Sequence, residues 1–332
     1  MTTYKLNKIS VSIAATLASV LVLTASTSAF AVQEMNLAFT PPLNSHYGEA
    51  GQAFAEEIDR LSDGEFKINL RPASALGGER DVLEGLQIGS VELTLTSTGP
   101  IGNFVPSVYA LDFPFLFRDY DHAHKVLDGE IGQSLLEEFE DEGLIGLAWA
   151  ENGFRHLTNS VRPVKTPEDM EGMKIRTMEN QVHLETFKAL GAAPTPISWT
   201  EVITALQQGT IDGQENPIPI LTVNNMWEIQ DYLTLTGHVY SPTALVMSKI
   251  YWDDLSEEQQ GWFREAAQVA AQTSRDAVQR IEAEGVDLLR SNGMEVVTEI
   301  DYEQFRAAAE PAYERYADQY GSELLERIRA TE

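Results

Sequence analysis

Arg176 is the side chain of this sequence with the clearest chemical capacity. It ends a short apolar and basic alternation, Met173–Thr177, whose pattern predicts a strand. In open α/β sheets, ligands sit beyond the carboxyl ends of the strands. Arginine's planar, five-donor fork is shaped to hold a carboxylate by two parallel hydrogen bonds. On spacing alone a second reading stays open: a structural arginine paired with a neighbouring acid such as Glu179. Further along, Asp212-Gly213 is expected to turn the chain into Gln214-Glu215-Asn216-Pro217, a dense set of hydrogen-bonding groups stiffened by proline.

The groups that catalysis would need are missing. The chain has no Cys, and it lacks G-x-S-x-G, H-E-x-x-H and P-loop patterns. Its six His are scattered, and His122 and His124 read as an exposed helix start. With 51 acidic residues, adjacency of carboxylates carries no information. The expectation is a binding protein, not an enzyme, that uses no cofactor and no metal.

The elements that must position Arg176 alternate. Met35–Phe39 predicts a strand, and a helix follows with Ala50, Phe54, Ile58 and Leu61 on one stripe. Phe66, Ile68 and Leu70 alternate as a second strand; Val82, Leu83 and Leu86 mark a short helix; Val91–Thr96 is a third strand. That order is the signature of a parallel sheet with crossover helices. It brings His46, Glu79, Arg80, Ser97 and Thr98 to one edge of the sheet, although helix starts and solvent exposure account for the same residues. The loop Leu111–Phe117 is read as aromatic core packing.

After Leu144–Ala150, another strand, the segment Asn152–Asn159 is expected to cross into a second domain. Around Arg176 the pattern is strand, helix (Val182–Leu190), then a second helix with a Ser198/Glu201 capping-box signature. Strands at Tyr232–Thr236 and Tyr240–Met247 lead back, making linkers near 153 and 240 the hinge candidates. Ser256 and Gln259 cap a helix running to about Leu289, weakened only at Gly261 and Gly285. At 1.5 Å per residue it is about 45 Å or more, longer than one domain of this size.

Residues 1–31 read as a signal peptide: Lys5 and Lys8, an apolar run from Val11 to Ala25, and an Ala29-Phe30-Ala31 cleavage site. The rest is long enough for two domains. The chain carries 23 basic and 51 acidic residues, a formal charge of −28. That balance argues against nucleic acid and anionic membrane as partners, and suits a salt-rich setting in which stability rises with salt.

Several motifs resemble one family. Ile175-Arg176, Phe187–Ala192, Pro194-Thr195-Pro196, Ala205–Gly209 and Asp212–Pro217 are similar to the signature of the solute-binding subunits of TRAP (tripartite ATP-independent periplasmic) transporters, of the dicarboxylate-receptor-like type. The resemblance implies an α/β, two-lobed periplasmic solute-binding protein with a cleft between lobes and a long helix across both. It suggests residues 32–153 plus about 240–281 as lobe I, and 154–239 plus about 282–332 as lobe II. It implies a small organic acid as ligand and the membrane subunits of a TRAP transporter as partner, with ion-gradient-driven uptake.

For the site, the resemblance implies that Arg176 clamps the carboxylate, that Arg155 adds a second anion contact with Asn152 beside it, and that Asn216 bonds the same end. Leu76–Arg80 and Ser97–Pro100 are similar to cleft loops of sugar-acid receptors, and Glu179, His46, Glu79, Arg80, Thr98 and Asn152 are the candidates for a hydroxyl-bearing end. Trp199 would stack on the ligand, seal the cleft or serve the core. The favoured ligand is a sugar acid such as D-glucuronate or D-galacturonate, ahead of C4-dicarboxylates and ectoine-type solutes. A ligand sensor of a signalling system is the reading from another class.

Overall fold

The computed structural model describes residues 32–332, so the segment read as a signal peptide lies outside the described residues. In chain order the elements are β1 (Gln33–Ala38), α1 (His46–Leu61), β2 (Phe66–Arg71), α2 (Glu79–Gln87), β3 (Leu93–Ser97), α3 (Thr98–Ile101), α4 (Tyr120–Asp128), α5 (Glu130–Glu137), β4 (Leu144–Asn159), β5 (Lys174–Thr177), α6 (Gln181–Ala189), β6 (Ala193–Pro196), α7 (Trp199–Gln207), β7 (Gly213–Pro217), α8 (Ile218–Val223), β8 (Tyr232–Ser248), α9 (Lys249–Trp252), α10 (Glu257–Ser291), β9 (Glu295–Val297), α11 (Tyr302–Tyr320) and α12 (Ser322–Ala330).

The nine strands form one sheet in the order β2-β1-β3-β8-β4-β7-β5-β6, with β9 beside β8. β1 pairs in parallel with β2 and β3, and β5 in parallel with β6 and β7. The two parallel groups are joined by the long antiparallel pair β4 and β8. Sequence reading split both of these strands. The structure keeps each unbroken, and accommodates the change of direction by register shifts at Glu151/Gly153 and Arg155/Leu157, where Gly153 has φ of 115°. Such bulges bend a strand and re-aim its side chains without ending it.

Other expectations shift as well. Gln214–Pro217, expected only as a polar set following a turn at Asp212-Gly213, is part of β7, which begins at Gly213 and is buried throughout, with His156 of β4 opposite Asn216. Ser198 precedes α7 without capping it through its side chain, and its hydroxyl accepts instead from Thr200. His122 is buried, its Nδ1 accepting from the Arg118 amide, and His124 bonds Glu151. The proline-bearing β6 sits at the sheet edge, where a missing N–H costs no ladder bond. The aromatic loop is core: Leu111, Phe113, Leu116 and Phe117 pack with Trp149, Tyr240 and, from the chain end, Leu325 and Ile328.

The long helix is present with its Ser256/Gln259 capping box, and its 35 residues span about 52 Å. Near its start Phe263 packs edge-on to Phe66. In its middle Ser274 holds the backbone of Glu151 on β4. Near its end Leu289 enters a cluster with Val202, Ile218 and Leu233. Its two glycines differ. Nothing lies within 4 Å of a Cβ built at Gly261, whereas one at Gly285 would stand 2.3 Å from Cγ2 of Ile218 on α8. Gly261→Ala should therefore raise stability by up to about 1 kcal/mol through helix propensity. Gly285→Ala should lower it, overpacking of about 1–3 kcal/mol outweighing the same gain. Urea unfolding of both variants checks the opposite signs.

Candidate functional site

Where the two parallel groups meet β4, a narrow cavity opens at the carboxyl ends of β1, β3, β5 and β7. Its walls are Thr40 and Pro41 after β1, Tyr47 on α1, Glu79 at the start of α2, Ser97 at the end of β3, Asn152 and Arg155 on β4, Arg176 and Met178 at β5, Trp199 on α7, Asn216 on β7 and Ile220 on α8. Of the residues singled out from sequence, Arg176, Arg155, Asn216, Glu79, Asn152 and Trp199 come together here.

The two arginines differ in kind. Arg155 is 1% exposed and lies fork-to-fork against Glu215: Nε meets Oε2, and Nη2 donates to Oε1 at 2.8 Å. Nη2 also donates to the Glu215 carbonyl at 2.7 Å and to Asn216 Oδ1 at 3.2 Å, and His238 Nε2 stands 3.1 Å from Glu215 Oε2. Burial raises the Glu215 carboxyl, but the Arg155 charge and the His238 bond hold it well below the usual carboxylate range. Burial likewise lowers the Arg155 guanidinium, and Glu215 more than restores it. The pair is a neutral unit.

Arg176 has no such partner. It is 2% exposed, its Nε donates to the Ile197 carbonyl at 2.9 Å, and its guanidinium lies 5.8 Å from the centre of the Trp199 ring. Neither terminal nitrogen donates to a protein group among the described residues, and no carboxylate lies within ion-pair distance. Burial lowers its pKa to about 10, against the distant pull of Glu215. The structural pairing with Glu179 that spacing left open does not form: Glu179 sits 4.0 Å from Arg80 instead.

The far wall is rich in hydrogen-bonding groups. Glu79 Oε1 accepts from the Ser97 hydroxyl at 2.7 Å, the Ser97 amide at 2.9 Å and Thr96 Oγ1 at 3.0 Å. His46 Nε2 stands 3.0 Å from Asn152 Oδ1, and burial keeps the ring neutral by lowering its pKa to about 4. With the ring proton on Nε2, the Asn152 amide nitrogen is left for the cavity. Asn216 Nδ2 donates to Gln214 at 2.6 Å, and the amide edge lines the cavity beside Arg176.

Four candidates lie off the cavity wall. His46 stands behind Asn152, and Thr98 is buried with its hydroxyl on Asp112. Arg80 is exposed and paired with Glu84, and Glu179 turns its carboxylate to Arg80 and its carbonyl to Asn103. Sequence reading missed Tyr47, Met178, Thr40, Pro41 and Ile220 on the wall, and Glu215 and His238 behind it. Tyr47 and Met178 are one and two positions from residues already singled out. An acid adjoining Asn216, in a strand beside the one carrying Arg155, was the available signal for Glu215.

The family model for bacterial extracellular solute-binding proteins, family 7, matches residues 38–319. A solved TRAP periplasmic solute-binding protein from Polaromonas sp. JS666, bound to D-erythronate, is 48% identical with a TM-score of 0.89, covering 90% of this chain and 99% of that one. One from Bordetella bronchispeptica, with ligand density assigned as pantoate, is 49% identical at the same TM-score and coverage. The 2,3-diketo-L-gulonate-binding periplasmic protein of Escherichia coli K12 is 37% identical over 85% of this chain and 86% of its own. The match spans both parallel strand groups, β4 and β8, and the cavity that holds the unpaired arginine. This chain therefore belongs to the bacterial extracellular solute-binding protein family 7, the two-lobed α/β receptors of TRAP transporters that bind small acids and are not enzymes.

Proposed function

We propose that this protein captures a sugar acid bearing a single carboxylate and delivers it to the membrane subunits of a TRAP transporter for ion-gradient-driven uptake. The observation that carries this reading is the buried, unpaired guanidinium of Arg176 facing the cavity. A buried charge without a partner is costly, and an incoming carboxylate supplies that partner with the fork geometry arginine favours. Arg155 adds no second positive charge, because Glu215 already neutralises it. The other charged group on the wall is the carboxylate of Glu79, which accepts from hydroxyls and repels a second carboxylate.

The remaining wall is uncharged: Thr40, Tyr47, Ser97, Asn152 and Asn216 are hydrogen-bonding, and Pro41, Met178, Trp199 and Ile220 give it an apolar side. It suits a polyhydroxy chain. D-Erythronate and pantoate, found in the two similar structures, are hydroxy acids with one carboxylate. D-Glucuronate and D-galacturonate share that chemistry. Export through the segment 1–31 belongs to the same reading, as does closure of residues 32–153 plus about 240–281 onto 154–239 plus about 282–332. Among the described residues no helix is long and apolar enough to cross a membrane.

A thermal-shift panel of D-erythronate, D-glucuronate, D-galacturonate, succinate, malate and ectoine tests the ligand class. Sugar acids should stabilise the protein, by about 2.7 kcal/mol at 100 times Kd. Stabilisation by dicarboxylates alone would discard the reading of Glu79. Calorimetry with the best ligand tests the clamp. Arg176→Ala should cost about 2–5 kcal/mol, at least thirtyfold in Kd, and Arg176→Lys should not restore it. Asn216→Ala should cost about 0.5–1.5 kcal/mol. Normal binding by Arg176→Ala would refute the proposal. Glu79→Gln should weaken sugar-acid binding and narrow the gap to succinate.

A further inference from the structure

Below the cavity, a second polar cluster joins the segment after β3 to the segment after β5. Thr98, Asp112, Asn180 and His183 are each at most 1% exposed. Asp112 Oδ1 accepts from Thr98 Oγ1 and Oδ2 from Asn180 Nδ2, both at 2.7 Å. Asn180 at the same time caps α6, its Oδ1 accepting from the His183 amide at 3.0 Å. His183 Nε2 stands 3.9 Å from Asp112 Oδ1, and neither ring nitrogen has a hydrogen-bond partner.

Neighbouring contacts close the same joint. Asn103 Nδ2 donates to the Glu179 carbonyl at 2.7 Å. Met178 packs so tightly on Gly99 that an added Cβ would lie 2.6 Å from its Cε. The residues immediately after Arg176 are thus clasped by the other parallel strand group.

We propose that Asp112 and His183 are positioning residues for ligand capture: they form a neutral clasp that holds the Arg176 strand end against the segment after β3, and opening the cleft separates and hydrates them. The proposal rests on the reading of this protein as a receptor that opens and closes. Both groups belong to the neutral form when clasped. Burial pushes Asp112 up to about 7, opposed by its bonds from Thr98 and Asn180 and by the Arg155 charge, and reinforced by Glu215. Burial pulls His183 down to about 3, opposed by Glu215 and reinforced by Arg155, His238 and Arg176. Tyr109, from the same segment as Asp112, faces it as well.

The signs are opposite. The Asp112 pKa is raised on clasping, so this group takes up a proton, and its contribution to affinity is lost as pH rises from about 4 to about 7. The His183 pKa is lowered, so this group releases a proton, and its contribution is lost as pH falls below about 6.5. In the overlap, clasping moves one proton from the imidazolium to the carboxylate and exchanges none with solvent. The pair therefore makes capture insensitive to acidity, where either group alone would make it sensitive.

Calorimetric Kd values for D-erythronate, taken from about pH 5 to about pH 7, test the pairing through the ratio of variant to wild type. For Asp112→Asn the ratio should rise as pH falls, by up to about tenfold per unit. For His183→Gln it should rise as pH rises, and for the double variant it should stay level. Ratios that run parallel for the two single variants overturn the proposal. A ligand-free measurement separates this outcome from failure of the receptor reading. The chain has no native Cys, so spin labels at I88C and V161C, on the two strand groups, report the opening distance alone. Asp112→Ala should shift that distribution to longer distances and Asp112→Asn should leave it near wild type; an unchanged distribution in Asp112→Ala overturns the clasp even if no sugar acid binds.

Discussion

The cavity depends on two guanidinium groups and one carboxylate held away from water. Each such charge costs several kcal/mol to bury, and only a well-placed opposite charge offsets that cost. Glu215 offsets Arg155 through fork-to-fork bonds, and His238, Ser241 and Asn216 take up the remaining hydrogen-bonding capacity of the pair. Arg176 is left with one carbonyl and one aromatic face. The protein thus folds with one cation incompletely satisfied, and the sheet supplies the stability that tolerates it. β5 lies between β6 and β7, so the backbone of Arg176 cannot shift away from the cavity without breaking a ladder on each side.

The same sheet explains how a cavity arises between two strand groups. β4 and β8 run through both, and the bulges at Glu151/Gly153 and Arg155/Leu157 fall where the cavity-facing Asn152 and Arg155 project. An unbroken ladder would alternate these side chains regularly between the faces. The extra residues re-aim them. α10 then braces the bend from outside, with the Ser274 hydroxyl bonded to both backbone groups of Glu151.

Local signals were read well from the sequence, and distant pairings were not. The capping box of α10, the stripe of α1 and Arg176 at a strand end each depend on residues within a few positions. Glu215 depends on Arg155, 60 positions earlier in the chain, and nothing local marks it as an ion-pair partner. Gln214–Pro217 does not read as a strand because polar residues rarely form a buried one. Here each finds a partner: Gln214 bonds Thr158, Glu215 holds Arg155, and Asn216 reaches Gln214. His122 and His124 looked exposed for a related reason. Their partners, the Ile328 carbonyl and Glu151, come from α12 and β4 and are invisible to helix periodicity.

The formal charge of −28 must be reconciled with an anionic ligand. Surface charges act on an approaching anion through water, and at physiological ionic strength their influence fades over about 8 Å. The attraction of Arg176 acts inside a cavity largely closed to water, where the effective dielectric is lower and salt penetrates little. The two fields therefore govern different steps. Repulsion by the surface slows encounter and is relieved by salt, whereas retention, on the proposed role of Arg176, is nearly indifferent to it. An acidic surface is in this way compatible with tight retention of an acid, provided that one guanidinium is kept dry and unpaired. The neutralisation of Arg155 by Glu215 sets that number at one, which is the ground for proposing a ligand with a single carboxylate.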